Sequence, residues 1–350
     1  MPLTTIRTSN LDTTNSLLFR NRIINGNMVI DQRNAGAAVT TANSFPVDRF
    51  KIEKNSDDTF SAQQDSSAPV GFTNSTKITI TAADASIGST QYFVIDQYIE
   101  GYNVADLAWG SANAKTVTLS FWVRSSLTGT FGGSLRNSAG DRNYAFTYSI
   151  SAADTWEQKS VTIAGDTSGT WLTTNGVGIQ LAFSLGAGSS RVATAGSWGS
   201  GVILGASGQT QVISTLNATF YITGVQLEVG TAATAFERRP YGTELNLCQR
   251  YYERLEAQSQ FWVPNGGYLN YLVLLWRFNV PKRAAVTLST ISGVTATLDS
   301  YGAGAVSYSS AASDSGTQYS GRLNFVLPAN QSLGTNITLT NTFFQASAEL

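Results

Sequence analysis

Residues Lys115–Arg124 read KTVTLSFWVR. Val117, Leu119, Phe121 and Val123 fall on one side of an extended chain, and Thr116, Thr118, Ser120, Trp122 and Arg124 on the other. A period of two sustained over ten residues is the pattern of a strand with one apolar face. Val177–Leu185 (VGIQLAFSL) repeats it, with Val177, Ile179, Leu181, Phe183 and Leu185 in register. Thr76–Thr81, Gln91–Ile99, Tyr144–Ile150 and Gln158–Ile163 also read as strands. In Thr219–Val229, Gly224 marks a bulge at which the alternation shifts. Strands of this kind, irregularly spaced and without an internal repeat, predict an all-β protein whose main part, residues 27–240, is a jelly-roll-type β-sandwich.

Composition agrees. The chain has 350 residues, 42% hydrophobic and only 13% charged, with 32 glycines. A typical domain carries about 25% charged residues, so solubility here rests on hydroxyls and amides. Lys+Arg is 22 against Asp+Glu 23, a net charge of −1. That excludes binding of nucleic acid through a basic stripe, and a polybasic membrane surface. There is no His, which removes Ser-His-Asp triads, His general bases and ordinary His metal sites together. The single Cys248 excludes an internal disulfide and a cysteine-cluster zinc site. Met1–Asn15 lacks the apolar core of a secretory signal, and no run of 18 apolar residues exists. The expectation is a chain made in a cytoplasm, with no address of its own.

Four segments follow from the pattern. Residues 1–26, rich in Thr, Ser and Asn, read either as a frayed terminus or as an attachment arm that orders against a partner. Residues 27–240 form the sandwich. Residues 241–257 read as a short linker helix: Thr243 is an N-cap, Glu244 suits the positive helix end, and Leu245, Cys248, Tyr252 and Leu255 follow the helical period. This stripe could pack on the chain's own sandwich or against symmetry copies around a threefold axis. Residues 258–350 return to β, with candidate strands at Tyr268–Phe278, Ala285–Ser289, Gly293–Leu298, Ala305–Ser309, Arg322–Leu327 and Asn336–Thr342.

Without His, general acid–base chemistry falls mainly to paired carboxylates. Asp96 with Glu100, and Asp154 with Glu157, are candidates by proximity alone. Asp57-Asp58 could contribute to an oxygen-liganded calcium site, although no loop motif supports one. No cofactor motif is present. Gly129–Gly133 (GTFGG) reads as a Gly-rich turn with no adjoining helix to present amides to phosphate. The long Gly186–Gly208 loop, carrying Arg191 and Trp198, is either functional or disordered. Aromatic residues are the better lead, because a rigid ring face can pack against the C–H face of a sugar while polar neighbours bond its hydroxyls. Trp122 lies on the polar side of its strand. Trp109, Trp171 and Trp198 sit among small polar residues, and Tyr144 follows the polar cluster Asp141-Arg142-Asn143. The glycan-binding candidates are therefore Trp122, Trp109, Trp198, Tyr144, Asp141 and Arg142, each with core or edge packing as the competing role.

Several stretches together resemble the tail-fibre and receptor-binding proteins of tailed bacteriophages. They are Asn25–Arg33 (NGNMVIDQR), Val47–Phe50 (VDRF), Gln97–Gly101 (QYIEG), Phe121–Arg124 (FWVR), Gly224–Gly230 (GVQLEVG), Thr234–Pro240 (TAFERRP), the Cys248–Tyr252 run CQRYY, and the terminal Ala348-Glu349-Leu350. The resemblance implies a virion protein acting outside the cell and assembling as a homotrimer. It implies a sandwich like that of a carbohydrate-binding module, an N-terminal arm held by another virion protein, and a C-terminal domain at the distal tip. With no long shaft, a short tail fibre or receptor-binding tip fits better than a long fibre. The functional expectation is a non-enzymatic protein that attaches to host cell-surface polysaccharide. The alternatives are a purely structural capsid or tail decoration protein and a two-carboxylate polysaccharide depolymerase.

Overall fold

The computed structural model describes residues 19–262, 269–290, 295–299, 310–314, 320–331 and 336–350. It divides into two compact units, Met1–Pro240 and Tyr241–Leu350.

The first unit is built from β1 (Ser44–Val47), β2 (Phe50–Lys54), β3 (Thr59–Asp65), β4 (Ser75–Ala82), β5 (Tyr92–Glu100), β6 (Val117–Ser125) and β7 (Gly129–Arg136). It continues with β8 (Asn143–Ile150), β9 (Glu157–Ile163), β10 (Val177–Ala187), the two-residue strands β11 (Val192–Ala193), β12 (Trp198–Gly199) and β13 (Gly205–Ala206), and β14 (Thr219–Val229). Seven of these form one sheet in the order β1-β2-β5-β10-β7-β8-β12, and five form the facing sheet in the order β3-β4-β14-β6-β9. This is the expected two-sheet sandwich. Alternation explains why: Val117, Leu119, Phe121 and Val123 of β6 are all fully buried, as are Leu181, Phe183 and Leu185 of β10. The sheets meet through aromatic edges, with the Phe121 ring 4.9 Å from both Tyr148 and Phe183. The bulge at Gly224 is present: the β14–β6 register shifts between Thr223 and Gln226, and Gly224 has φ 61°.

Two expectations about this unit are corrected, and a third is narrowed. The arm does not extend to residue 26, because Ile23 and Asn25 are fully buried and Ile24 nearly so. The Asn25 amide donates to the Ile30 and Asp48 carbonyls and accepts from the Ile30 N–H. Gln97 exchanges hydrogen bonds with the N–H and carbonyl of Ile24. Residues 1–18 of the proposed arm lie outside the described residues. Next, Gly129–Gly133 is not a turn but the start of β7. Its glycines serve close packing, since a Cβ on Gly133 would lie 2.4 Å from the Ala182 carbonyl oxygen. The Gly186–Gly208 loop, finally, is folded onto the seven-stranded sheet, with β12 paired to β8 and β11 to β13.

The second unit opens with α1 (Tyr241–Gln249), followed by β15 (Tyr252–Trp262), β16 (Leu269–Arg277), β17 (Thr287–Thr290), β18 (Thr295–Asp299), β19 (Ser310–Asp314), β20 (Ser320–Gln331) and β21 (Asn336–Ser347). β21 pairs with β15, β17 and β18, while β20 pairs with β16 and β19. A smaller C-terminal β unit is as expected, but the helix is shorter and earlier than its sequence pattern suggested. It starts directly after Pro240, not at Thr243, and ends at Gln249. Tyr252 and Leu255 therefore lie on β15, opposite Ser347 and Phe344 of β21. Long-range strand pairing overrides a weak helical propensity here, so Leu245, Cys248, Tyr252 and Leu255 do not form one helical stripe. Leu245 is half-buried, while Cys248 and Tyr252 are buried. Of the candidate strands, Ala305–Ser309 falls outside the described residues.

Candidate functional site

The outer face of the seven-stranded sheet carries an unusual set of side chains. Parity places Lys51 and Glu53 of β2, Tyr92, Asp96 and Tyr98 of β5, Gln180 and Ala182 of β10, and Ser134 and Arg136 of β7 away from the sandwich core. Register then sets them in rows across the sheet: Lys51 opposite Asp96, Asp96 opposite Ala182, Ala182 opposite Ser134, and in the next row Tyr98 opposite Gln180, itself opposite Arg136.

These residues form one network. The Tyr98 hydroxyl donates to Glu53 Oε1 at 2.6 Å, and Lys51 Nζ donates to the same oxygen at 2.5 Å. Gln180 Nε2 donates to Asp96 Oδ2 at 2.7 Å, and Arg136 donates to Gln180 Oε1. Among the described residues, Asp96 Oδ1, Ser134 Oγ and Arg136 Nε are buried without a partner. Unsatisfied polar atoms gathered at one place mark a surface whose bonding capacity is not used up internally.

The loop after β10 roofs part of this face. Leu204 packs against Val94 and Ala182, and Gln209 Nε2 donates to the Ser184 hydroxyl at 2.7 Å. The Arg191 guanidinium lies 6.0 Å from the Tyr92 ring centroid. The open margin is formed by Lys51, Glu53, Tyr92, Tyr98 and Arg191, all half-buried.

Desolvation dominates the electrostatics. Burial, reinforced by the Glu53 carboxylate, raises the Asp96 carboxyl well above its ordinary value. Burial likewise pushes the Tyr92 and Tyr98 phenols up, so both remain protonated donors at neutral pH, and it lowers Arg136. Four perturbed groups gathered on one face of the sheet make it a candidate functional surface. A linkage consequence can be measured. Above the ordinary carboxyl value of 3.8 the folded chain holds an Asp96 proton that the unfolded chain releases, so stability falls as pH rises towards the folded value. Asp96→Asn is expected to flatten this slope and to raise the melting temperature at pH 7. A slope unchanged in the variant would show that Asp96 is ionised in the folded protein.

The candidates chosen from sequence lie elsewhere. Trp109, Trp171, Trp198 and Tyr144 pack on one another: Trp109–Trp171 4.8 Å, Trp109–Trp198 5.3 Å, Trp171–Trp198 5.5 Å and Tyr144–Trp198 5.2 Å between ring centroids, all edge-to-face. Trp109 and Tyr144 are buried and Trp198 half-buried, so these rings are part of the main core of the sandwich instead of offering flat faces to a ligand. Arg142 makes a bidentate pair with the buried Asp166, 2.7 Å on both arms, and Asp141 accepts from Asn137 at 2.6 Å. Both residues brace the β7–β8 hairpin. Trp122 sits on the outer face of the five-stranded sheet, away from this network.

The carboxylate pairs chosen by proximity are not brought together. Asp96 and Glu100 are four residues apart on one strand, about 13 Å between Cα atoms, beyond the roughly 5–9.5 Å that glycoside hydrolysis uses. Asp154 pairs with Arg124, and Glu157 with Lys159. The Asp58 carboxylate is met by Ser56 and by Lys54 at 3.5 Å. Among the described residues no group of three or more acidic or cysteine side chains converges on a metal position, and no helix is long and apolar enough to cross a membrane.

The strand carrying Asp96 and Tyr98 is legible in the sequence; β7, which reads as a turn, and β2 are not. For β2 the signal was there, since Phe50-Lys51-Ile52-Glu53 alternates, but only the register placed Lys51 beside Asp96.

No protein-family model matches the chain, and no curated protein matches it. Solved structures do share similarity. The enzymatically active domain of tailspike protein 4 from bacteriophage CBA120 aligns at 12% identity and TM-score 0.33, covering 60% of this chain and 22% of that one. TmCBM61 in complex with β-1,4-galactotriose aligns at 9% identity and TM-score 0.31, covering 60% and 99%. The family 11 carbohydrate-binding module of Clostridium thermocellum, in complex with a mixed-linked tetrasaccharide, aligns at 11% identity and TM-score 0.28, covering 57% and 100%. The chain thus spans about a fifth of the tailspike structure.

Proposed function

We propose that the sandwich is a non-enzymatic carbohydrate-binding unit, and that the chain serves as a receptor-binding fibre protein of a bacteriophage virion, attaching as a homotrimer to polysaccharide on the host cell surface. The observation that carries the binding reading is the under-satisfied polar network on the seven-stranded sheet, bordered by Tyr92 and Tyr98. A saccharide hydroxyl both donates and accepts. It complements a face offering a carboxylate, an ammonium, an amide and two protonated phenols. Tyr92 and Tyr98 at the open margin supply ring surface for the C–H faces of a sugar. The near-neutral charge of the chain suits neutral polysaccharide at this face. The virion reading rests on the resemblance carried by Asn25–Arg33, Gly224–Gly230 and Thr234–Pro240. Three weak sites linked in one trimer would bind a repeating polymer with avidity beyond that of any single site.

The test is native electrophoresis of the full chain in gels containing neutral β-glucan or galactan. Retardation in at least one gel is expected, with Tyr92→Ala and Tyr98→Ala each weakening it about tenfold or more. If neither polymer retards the folded protein, or if both variants migrate as the parent does, this face is not the binding surface.

A further inference from the structure

The outer face of the five-stranded sheet carries a second aromatic surface, remote in the fold from the Lys51–Arg136 network. A Cβ on Gly224 would lie 2.8 Å from the Phe72 ring and 3.0 Å from Trp122 Cδ1. The bare glycine at the bulge therefore lets the two rings lie side by side over the sheet. Phe236 adds a third ring, 5.1 Å from Phe72. All three are half-buried, so part of each ring surface is open to solvent.

Cations flank the rings. The exposed Arg238 guanidinium lies 4.8 Å from the Phe72 centroid and 5.8 Å from that of Phe236, and donates to the Gly71 carbonyl. On the other flank Arg124 shares the Trp122 side of β6. It donates to the Ser67 hydroxyl and meets Asp154 at 3.8 Å, but the Asp154 side chain is 60% exposed. A pair that open contributes little and leaves the cation available.

Trp122 also differs from the clustered tryptophans. Trp109, Trp171 and Trp198 each donate the indole N–H to a backbone carbonyl. Among the described residues the Trp122 N–H meets no acceptor, yet it is not a buried orphan. It is a donor held at the surface, beside an open ring face.

We propose that Trp122, Phe72, Phe236 and Arg238 form a second saccharide site, selective for carboxylate-bearing sugars of the uronic acid kind. The sugar C–H face rests on Trp122 and Phe72, and a hydroxyl accepts from the indole N–H. The sugar carboxylate meets Arg238, with Arg124 reinforcing the positive flank. Charge complementarity selects the ligand: Arg238 and Arg124 flank the rings, and the exposed Asp154 beside Arg124 is an anion that a sugar carboxylate can replace. Trp122 lies on β6, an interior strand of the sheet, so no strand edge is offered at that ring to a peptide backbone, and ring surface flanked by cations fits a sugar ring better than an acidic peptide.

The experiment uses the full chain in native gels containing polygalacturonate or its methyl ester, which keeps the ring and removes the charge. Retardation by polygalacturonate and not by the ester is expected. Trp122→Ala and Arg238→Gln should each weaken it about tenfold or more, while retardation by the neutral polymers stays unchanged. Arg238 is exposed, so its variant reports even where Trp122→Ala perturbs folding. The proposal is overturned if polygalacturonate has no effect, if the ester binds equally well, or if Arg238→Gln binds as the parent. It is also overturned if polyglutamate displaces the chain as effectively as galacturonate oligomers, since charge alone would then account for binding.

Discussion

Lys282→Met is expected to destabilise the C-terminal unit by about 3–5 kcal/mol, the usual cost of removing one partner from a buried ion pair. Lys282 and Glu253 have side chains only 0% and 1% exposed. Lys282 Nζ donates to the Glu253 carboxylate and to the Gln249 carbonyl, and Asn279 Nδ2 donates to the other Glu253 oxygen at 2.6 Å. Burial lowers Lys282, and Glu253 opposes that shift. Without the lysine, Glu253 is a buried carboxylate with Asn279 alone beside it, and the end of α1 loses the donor that satisfies its Gln249 carbonyl. The double variant Lys282→Met, Glu253→Leu should recover most of the loss, because an apolar pair of similar volume replaces an ion pair at little cost. Denaturant unfolding followed by circular dichroism measures both. A single variant within about 1 kcal/mol of the parent, well below the usual buried-pair cost, would mean that the pair is solvated in the folded protein.

The second large effect belongs to Trp109→Ala, expected to cost about 3–5 kcal/mol through the cavity it leaves and the edge-to-face contacts it removes. Trp109 touches both Trp171 and Trp198, and its indole N–H donates to the Lys115 carbonyl at 2.8 Å. This cluster fastens the segment before β6, the segment before β10 and β12 to one another, so its loss loosens one end of the sandwich. Glycan binding by the fraction that remains folded should be unchanged. A variant with parental stability and lost binding would return Trp109 to the role that its loop position suggested.

That contrast shows where the sequence was readable. Alternation in Lys115–Arg124 and Val177–Leu185 predicts two central strands because each buries one apolar face, a property local to the strand. Gly224 signals a bulge because only a residue free of Cβ interrupts the pattern so economically. The role of a tryptophan is not local. Trp109, Trp171 and Trp198 all sit among small polar residues, as ligand-binding rings often do, and nothing nearby in sequence shows that the three converge. Leu255 extends the helical period of Leu245 and Cys248, yet its place is decided by a partner strand some ninety residues away, with Phe344 opposite. The network on the seven-stranded sheet draws on β2, β5, β7 and β10, and only their register assembles it. The most recognisable motifs do a different job: Asn25, Asp48, Gln97 and Gln226 are buried and hold backbone segments together.

One of those motifs has a mechanical side. The backbone N–H groups of Phe19 and Asn21 donate to the Glu237 carboxylate, Arg20 donates to the Ala235 carbonyl, and Arg239 reaches back to the carbonyls of Asn21 and Ile23. The chain therefore leaves the sandwich at the spot where it came in. Between those two points run about 220 residues, which fully extended would reach about 700 Å, folded into a body whose ends are a hydrogen bond apart. A tether pulled through residues 19 and 239 gains almost no length while this clasp holds and several hundred ångströms once it yields. The sandwich is a store of slack in the line.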